Sequence, residues 1–251
     1  MENALLIGLS RQVALARELD VVANNVANVD TNGFKRRETV FQEFLAPVAR
    51  AENFRNADKR VSYVWDRGTT LNFSQGSFER TGNPLDVAIV GDGMIAVRGG
   101  AGNAERYTRN GALAINARGE LVTSDGHQVV TDQGSLTVAP TETDLRIAPD
   151  GTITSSAGPR GRLKIVNVPN PQLLRNEGQN VFSTTTPLQT AQPRDFRLVT
   201  GEIEKSNVKA VKEISRLMEI SRSYQSIASL MQKTEELRRS SLNRLADTNN
   251  N

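Results

Sequence analysis

"VVANNVANVDTNGFKRRETV", residues 21–40, decides how this chain is read. An apolar helical run takes in Asn24, Asn25 and Asn28, breaks at Thr31-Asn32-Gly33, and passes through Phe34 into the basic run Lys35-Arg36-Arg37. Gly33 suits the positive φ that ends a helix, and Asp30 to Asn32 suit the turn before it. Asn24 and Asn28 stand four residues apart on one helical face with Asn25 beside them, a polar strip in an otherwise apolar helix. Amides donate and accept together, so the strip suits bonds to neighbouring backbones and a role in fixing subunit register.

Toward the N-terminus, 16 of the 27 residues from Asn3 to Val29 are Ala, Val, Leu or Ile. Leu6, Leu9, Val13, Ala16, Leu19, Ala23 and Val26 recur at steps of three and four, which marks one helical face. Leu5, Ile7, Leu15, Val22 and Val29 make the other side apolar too. A helix apolar nearly all round needs partners on more than one side. The opening "MENALLIGLSRQVALARELD" lacks a basic start and a small-residue cleavage pattern, so it is not expected to act as a cleaved signal peptide. No run reaches the ~18 apolar residues of a membrane span.

A second helix is expected from about Val208 to Leu245, with Ser206 or Asn207 as its cap. Ala210, Ile214, Leu217, Ser221, Tyr224, Ala228 and Met231 repeat at four and three, the spacing of a coiled coil. Glu219 with Arg222 and Glu235 with Arg239 fit its exposed side.

Between the helices the composition changes. Sixteen of the 19 glycines lie between Gly68 and Gly178, and eight of the nine prolines between Pro84 and Pro193. Short runs at 61–65, 86–90, 112–115, 120–123 and 162–168 are separated by Asp92-Gly93, Asn110-Gly111, Asp125-Gly126 and Asp150-Gly151, the grammar of antiparallel hairpins. The fold class expected is α+β: terminal helices pairing as a coiled coil, with a sandwich- or barrel-like β middle. The domains expected are 1–30 plus 206–251 for the helices, 31–75 as a connecting region, and 76–200 as the β-rich outer domain.

Candidate chemistry is sparse. Cysteine is absent, and the single histidine, His127, follows a turn and reads as a surface residue. No G-x-S-x-G elbow occurs, and neither "GDG" (91–93) nor "GGAG" (99–102) opens a helix that could cradle phosphate. Asp86, Asp92 and Asp125 are explained by turns before paired-acid catalysis. "FKRRE" (34–38) reads as a solvated or interface charge cluster, since a net charge of +3 gives no broad basic face for nucleic acid. No catalytic residue, cofactor or metal site is expected. The two apolar helices leave one face without an intrachain partner, which predicts contact between copies that propagates as a filament.

Four blocks in order resemble the flagellar basal-body rod and hook proteins. "LDVVANNVANVDTNGFKRRE" (19–38) is similar to their N-terminal signature, matched by Ala23, Asn24, Asn25, Ala27, Asn28, Thr31, Gly33, Phe34 and Lys35. "GSFERTGNPLDVAIVGDGMIAV" (76–97) and "RYTRNGALAINARGELVTSDGHQV" (106–129) resemble the opening of the family's β domain. Residues 201–245 resemble its C-terminal helix, entered through Ser206-Asn207-Val208. Within the family the chain is most similar to proximal-rod members, with distal-rod members next.

The resemblance implies a non-enzymatic subunit of the drive shaft crossing the periplasm, passed unfolded through the flagellar type III export apparatus without signal cleavage. Its partners would be its own copies and other rod proteins, with no nucleic acid and no direct membrane insertion. The assembly residues implied are Leu6, Leu9, Val13, Leu19, Asn24, Asn25, Asn28, Thr31, Gly33, Phe34, Lys35, Asn207, Ile214, Leu217, Tyr224 and Met231. A secreted β-domain protein that binds or hydrolyses glycan, with dimerising helices, is the alternative.

Overall fold

The computed structural model describes residues 2–46, 61–99, 104–186, 188–193 and 195–248. It confirms an α+β chain with two helices, α1 (Glu2–Ala27) and α2 (Ala210–Thr248), and a strand-rich middle whose described pairings are all antiparallel. The chain divides into two compact units. One holds residues 1–26, 37–70 and 210–251, and the other holds 27–36 and 71–209. The connecting region 31–75 expected from sequence is thus shared between them.

In the helical unit, α1 and α2 accompany a two-stranded hairpin, β1 (Arg37–Ala46) with β2 (Val61–Leu71). Three contacts tie α1 to α2. A Cβ placed on Gly8 would lie 3.3 Å from Met231 Cγ. The Arg216 guanidinium donates to Glu18 Oε1 at 2.6 and 2.9 Å. Asn25 Nδ2 donates to Glu213 Oε2 at 3.1 Å. Between the first and last contacts α1 advances 17 residues and α2 retreats 18, about 26 and 27 Å at the α-helical rise, so the helices run antiparallel side by side.

The inward faces differ from those read in the sequence. On α1 Ala14, Val21, Val22 and Asn25 are buried, and Ala16, Leu19, Ala23 and Val26 of the expected face are partly covered, whereas Leu9 and Val13 are 50% and 59% exposed. On α2 the covered positions are Glu213, Leu217, Ile220, Tyr224, Ile227 and Met231. Ser221 and Ala228 of the expected repeat are partly covered as well, Ile220 at 2% exposure is the most buried position, and Ile214 is 45% exposed. The polar Asn25–Glu213 and Glu18–Arg216 contacts lie on the inward side, which a count of apolar residues alone does not locate. Arg216, not Arg222, pairs with Glu219 (2.9 Å), while Glu235 reaches both Arg238 and Arg239 at 3.5 Å.

The β unit is built from β3 (Phe78–Arg80), β4 (Val87–Val90), β5 (Gly93–Arg98), β6 (Glu105–Thr108), β7 (Leu113–Ile115), β8 (Leu121–Thr123) and β9 (Gln128–Thr131), followed by shorter strands to Glu204. Strand β5 lies between β6 and β9 and also pairs with Ile165–Asn167. Its side chains alternate, with Ile95 and Val97 entering one apolar cluster and Met94 and Ala96 entering a second. Val129/Val130, Ile165/Val166 and Val181/Phe182 divide in the same way, so the sheet is buried on both faces. Two cores, filled mostly by Val, Ile and Leu, explain how the β unit folds with few aromatics. Both Asp-Gly turns at 125–126 and 150–151 place glycine at positive φ (84° and 87°). At 91–93 the positive φ falls on Gly91 instead, because Gly93 already belongs to β5.

Candidate assembly site

The stretch 21–40 folds as two clamps, one in each unit. In the helical unit Asn25 is fully buried. Its Oδ1 accepts from the Arg37 amide at 2.9 Å and its Nδ2 donates to the Arg37 carbonyl at 2.9 Å, so the side chain pairs with β1 as a neighbouring strand would. The remaining amide hydrogen goes to Glu213, so both amide hydrogens and the carbonyl oxygen have partners. One side chain therefore joins α1, the start of β1 and the first turn of α2. Asn25→Ala should destabilise the helical unit by about 2 kcal/mol, because it leaves the Arg37 peptide and the buried Glu213 without that partner. Hydrogen exchange across residues 14–25 and 37–40 measures it, and unchanged protection would contradict the clamp.

In the β unit residues 27–36 form a docked loop. Thr31 donates through N and Oγ1 to the Asn28 carbonyl and Oδ1 (3.3 and 3.1 Å). Gly33 adopts φ +66° and its N–H donates to the Glu204 carbonyl at 2.7 Å. Phe34 is buried, and its carbonyl accepts from the Asn207 amide at 3.4 Å. Asn207 then braces three segments: Oδ1 accepts from Arg36 N at 2.7 Å, and Nδ2 donates to the carbonyls of Asn72 and Ser74 at 2.8 and 2.9 Å. It is a strut rather than the cap of α2, and Ser206 Oγ accepts from Val208 N in a turn of its own.

Beneath the loop lies a buried ion triad. Lys35 Nζ donates to Glu204 Oε1 at 2.7 Å and to the Ser74 carbonyl at 2.9 Å. Arg109 Nε donates to Glu204 Oε2 at 2.7 Å, and its other nitrogens donate to the carbonyls of Ile89, Gly91 and Gly93. Gly76 N adds a further donor to Oε1 at 2.9 Å. Lys35 and Glu204 are 2% and 1% exposed, so Lys35 is not the solvated charge that its basic run suggests. Burial alone would raise the Glu204 pKa, but Arg109 and Lys35 together hold it below the ordinary glutamate value. For Lys35 burial dominates and lowers the pKa, since Glu204 attracts it while Arg109 repels it. One carboxylate between two cations gains from both; each cation gains from one anion and loses to the other.

Of the residues expected at the assembly surface, Asn25, Gly33, Phe34 and Lys35 are buried within their own unit, and Asn207 joins the same brace. Leu9, Val13 and Ile214 are exposed; Leu19, Asn24, Asn28, Thr31, Leu217, Tyr224 and Met231 are partly covered. The Leu6 side chain lies outside the described residues. Glu204, Arg109 and Glu213 escape sequence reasoning; for Glu204, strand alternation in Glu202-Ile203-Glu204 places both acids on a polar face.

The residues examined for chemistry serve the fold. His127 is buried rather than superficial, and its amide donates to Thr123 Oγ1 at 3.2 Å. Asp86 accepts from Asn83 Nδ2 at 3.0 Å, and Asp125 accepts from Asn110 Nδ2 at 2.8 Å, each bracing a local loop. Among the described residues no group of three or more His, Cys, Asp or Glu could hold a metal ion.

Three family models match the chain in order: a flagella basal body rod protein model over residues 5–35, a flagellar hook protein FlgE/F/G D1 domain over 88–155, and a flagellar basal body rod FlgEFG C-terminal model over 199–245. Among similar proteins, the flagellar basal-body rod protein FlgF of Caulobacter vibrioides is 38% identical over 250 residues, covering 99% of this chain and 100% of the relative. FlgF of Mesorhizobium japonicum is 32% identical, covering 93% and 94%. The basal-body rod protein FlgG of Agrobacterium fabrum is 30% identical, covering 94% and 96%.

Proposed function

Since the chain belongs to the flagellar basal-body rod protein family and is a structural subunit of that rod, we propose how its surfaces build it. The family membership supports a non-enzymatic role in the basal body, in assembly with other rod proteins. The observation that carries the rest is an apolar surface left open on both helices: Leu9 and Val13 on α1, and Val211, Ile214, Met218, Leu230 and Leu237 on α2. Leu9 and Val13 stand opposite the face that α1 turns to α2, so folding of one copy does not cover them. Copies of the chain bury these strips against one another as a coiled-coil inner tube, and the β unit supplies an outer layer. Asn24 and Asn28, beside the saturated Asn25, set the register between copies.

The subunit works in the periplasmic rod, at its proximal level. It reaches that place unfolded through the flagellar type III export apparatus, without signal cleavage. The direct test is Leu9→Glu with Val13→Glu in a motile strain. The variant should keep wild-type circular dichroism as an isolated chain, yet give basal bodies without a rod beyond this subunit and abolish swimming. Normal rods and motility in that strain would show that the open strip is not the assembly surface.

A further inference from the structure

The sequence holds two Asn-Gly pairs, Asn32-Gly33 and Asn110-Gly111. Such pairs lose ammonia spontaneously because the glycine nitrogen, unshielded by a side chain, reaches the preceding amide. The two are protected here in different ways. At Asn110 the side chain itself is tied down: Nδ2 donates to Ser124 Oγ and Asp125 Oδ2, both at 2.8 Å, and Oδ1 accepts from Ala112 N at 3.1 Å. Asn110 is also 2% exposed. The Asn32 side chain is half-buried and makes no hydrogen bond among the described residues. Its protection comes from backbone: Gly33 N donates to Glu204 O at 2.7 Å, and the Asn32 carbonyl accepts from Asn180 Nδ2 at 2.8 Å.

We propose that Asn32 is a self-modification site, closed while the signature loop is docked and open when it is not. On release of the loop, the Gly33 nitrogen gives its proton to hydroxide and attacks Asn32 Cγ. The new N–C bond forms as the amide C–N bond breaks, and ammonia leaves a five-membered succinimide. Water then opens either carbonyl, giving aspartate or isoaspartate at position 32.

The docking slot makes this step one-way in effect. Around Gly33 even one added carbon would lie 2.5 Å from the Arg109 carbonyl carbon and 2.7 Å from Asn110 N. Isoaspartate inserts an extra methylene into the backbone immediately before that glycine, and the slot has no room to absorb the shift. A subunit whose loop stays open and takes the isoaspartyl product can no longer close it, whereas a closed subunit is preserved.

The test follows deamidation of the full chain by peptide mass mapping, with isoaspartate detected by enzymatic methylation. Three samples are compared at mildly alkaline pH: native wild type, wild type in concentrated urea, and Lys35→Met, which removes the ion pair holding the loop. Asn32 in the native chain should convert at least about tenfold more slowly than in urea, because reaction must await local opening. Lys35→Met should speed Asn32 and leave Asn110 slow; if that variant does not fold, the native-to-urea ratio alone decides. After transfer out of urea, chains carrying isoaspartate should fail to regain exchange protection over residues 31–36. Equal Asn32 rates in native and unfolded wild type, or full regained protection in isoaspartyl chains, would overturn the proposal.

Discussion

Replacing Glu204 with alanine is expected to destabilise the β unit by about 4 kcal/mol, a large share of a domain's total stability. The substitution leaves two cations, Lys35 and Arg109, in a pocket where the lysine is 2% exposed and the arginine 5%. Removing one member of a buried pair costs more than the pair contributes, since the remaining charge stays desolvated. Here two charges remain, and they repel each other. The Gly76 amide also loses its acceptor. Urea unfolding read by hydrogen exchange over β5 and β9 measures the loss. A shift under about 1 kcal/mol, the size of an exposed ion pair, would show that water enters the pocket and screens the triad.

The same carboxylate gives a pH dependence. Its pKa in the folded chain lies below the usual glutamate value, with two cations outweighing burial. Its contribution is therefore complete above the unfolded-state pKa of about 4.3 and disappears as pH falls through the lower folded value. Loss of exchange protection in the loop 27–36 should accompany acidification in wild type. In Glu204→Gln, the part of that transition owed to Glu204 should be missing.

Much of the chain was legible because its periodicities are local. The apolar repeat finds both helices within a few residues, and the Asp-Gly turns separate real strands. Helix rotation was not legible, because Leu9, Val13 and Val22 are equally apolar, and the polar contacts on the inward side, Asn25–Glu213 and Glu18–Arg216, join residues 188 and 198 apart in sequence. The triad was hidden for a related reason. Lys35 beside Arg36 and Arg37 has the composition of a solvated patch, and its burial depends on Glu204, 169 residues away. Family motifs marked Gly33, Phe34 and Lys35 as special without saying why. The geometry supplies a reason inside each copy: they fasten the loop 27–36 within the β unit before any partner is met.

Gly33→Ala is the sharpest test of that fastening and should cost about 3 kcal/mol or more. Two terms add. A left-handed φ of +66° strains any residue with a Cβ, by roughly 1–2 kcal/mol. The new carbon would also sit 2.5 Å from the Arg109 carbonyl carbon and 2.6 Å from its oxygen, inside van der Waals contact. Neither wall yields easily, because the Arg109 side chain is held by Glu204 and three backbone carbonyls; overpacking of this kind costs about 1–3 kcal/mol. Gly82 separates the two terms. It has φ +73° but no atom within 4 Å of a built Cβ, so Gly82→Ala should show the conformational part alone, about 1 kcal/mol. Both variants are compared by urea midpoint on the isolated chain, where no neighbouring subunit contributes. Equal losses at the two sites would mean that the loop does not press on Arg109, and that the signature glycine serves its turn and nothing else. A loss at Gly33 at least twice that at Gly82 would place its requirement in the slot beneath the loop, within a single subunit and ahead of assembly.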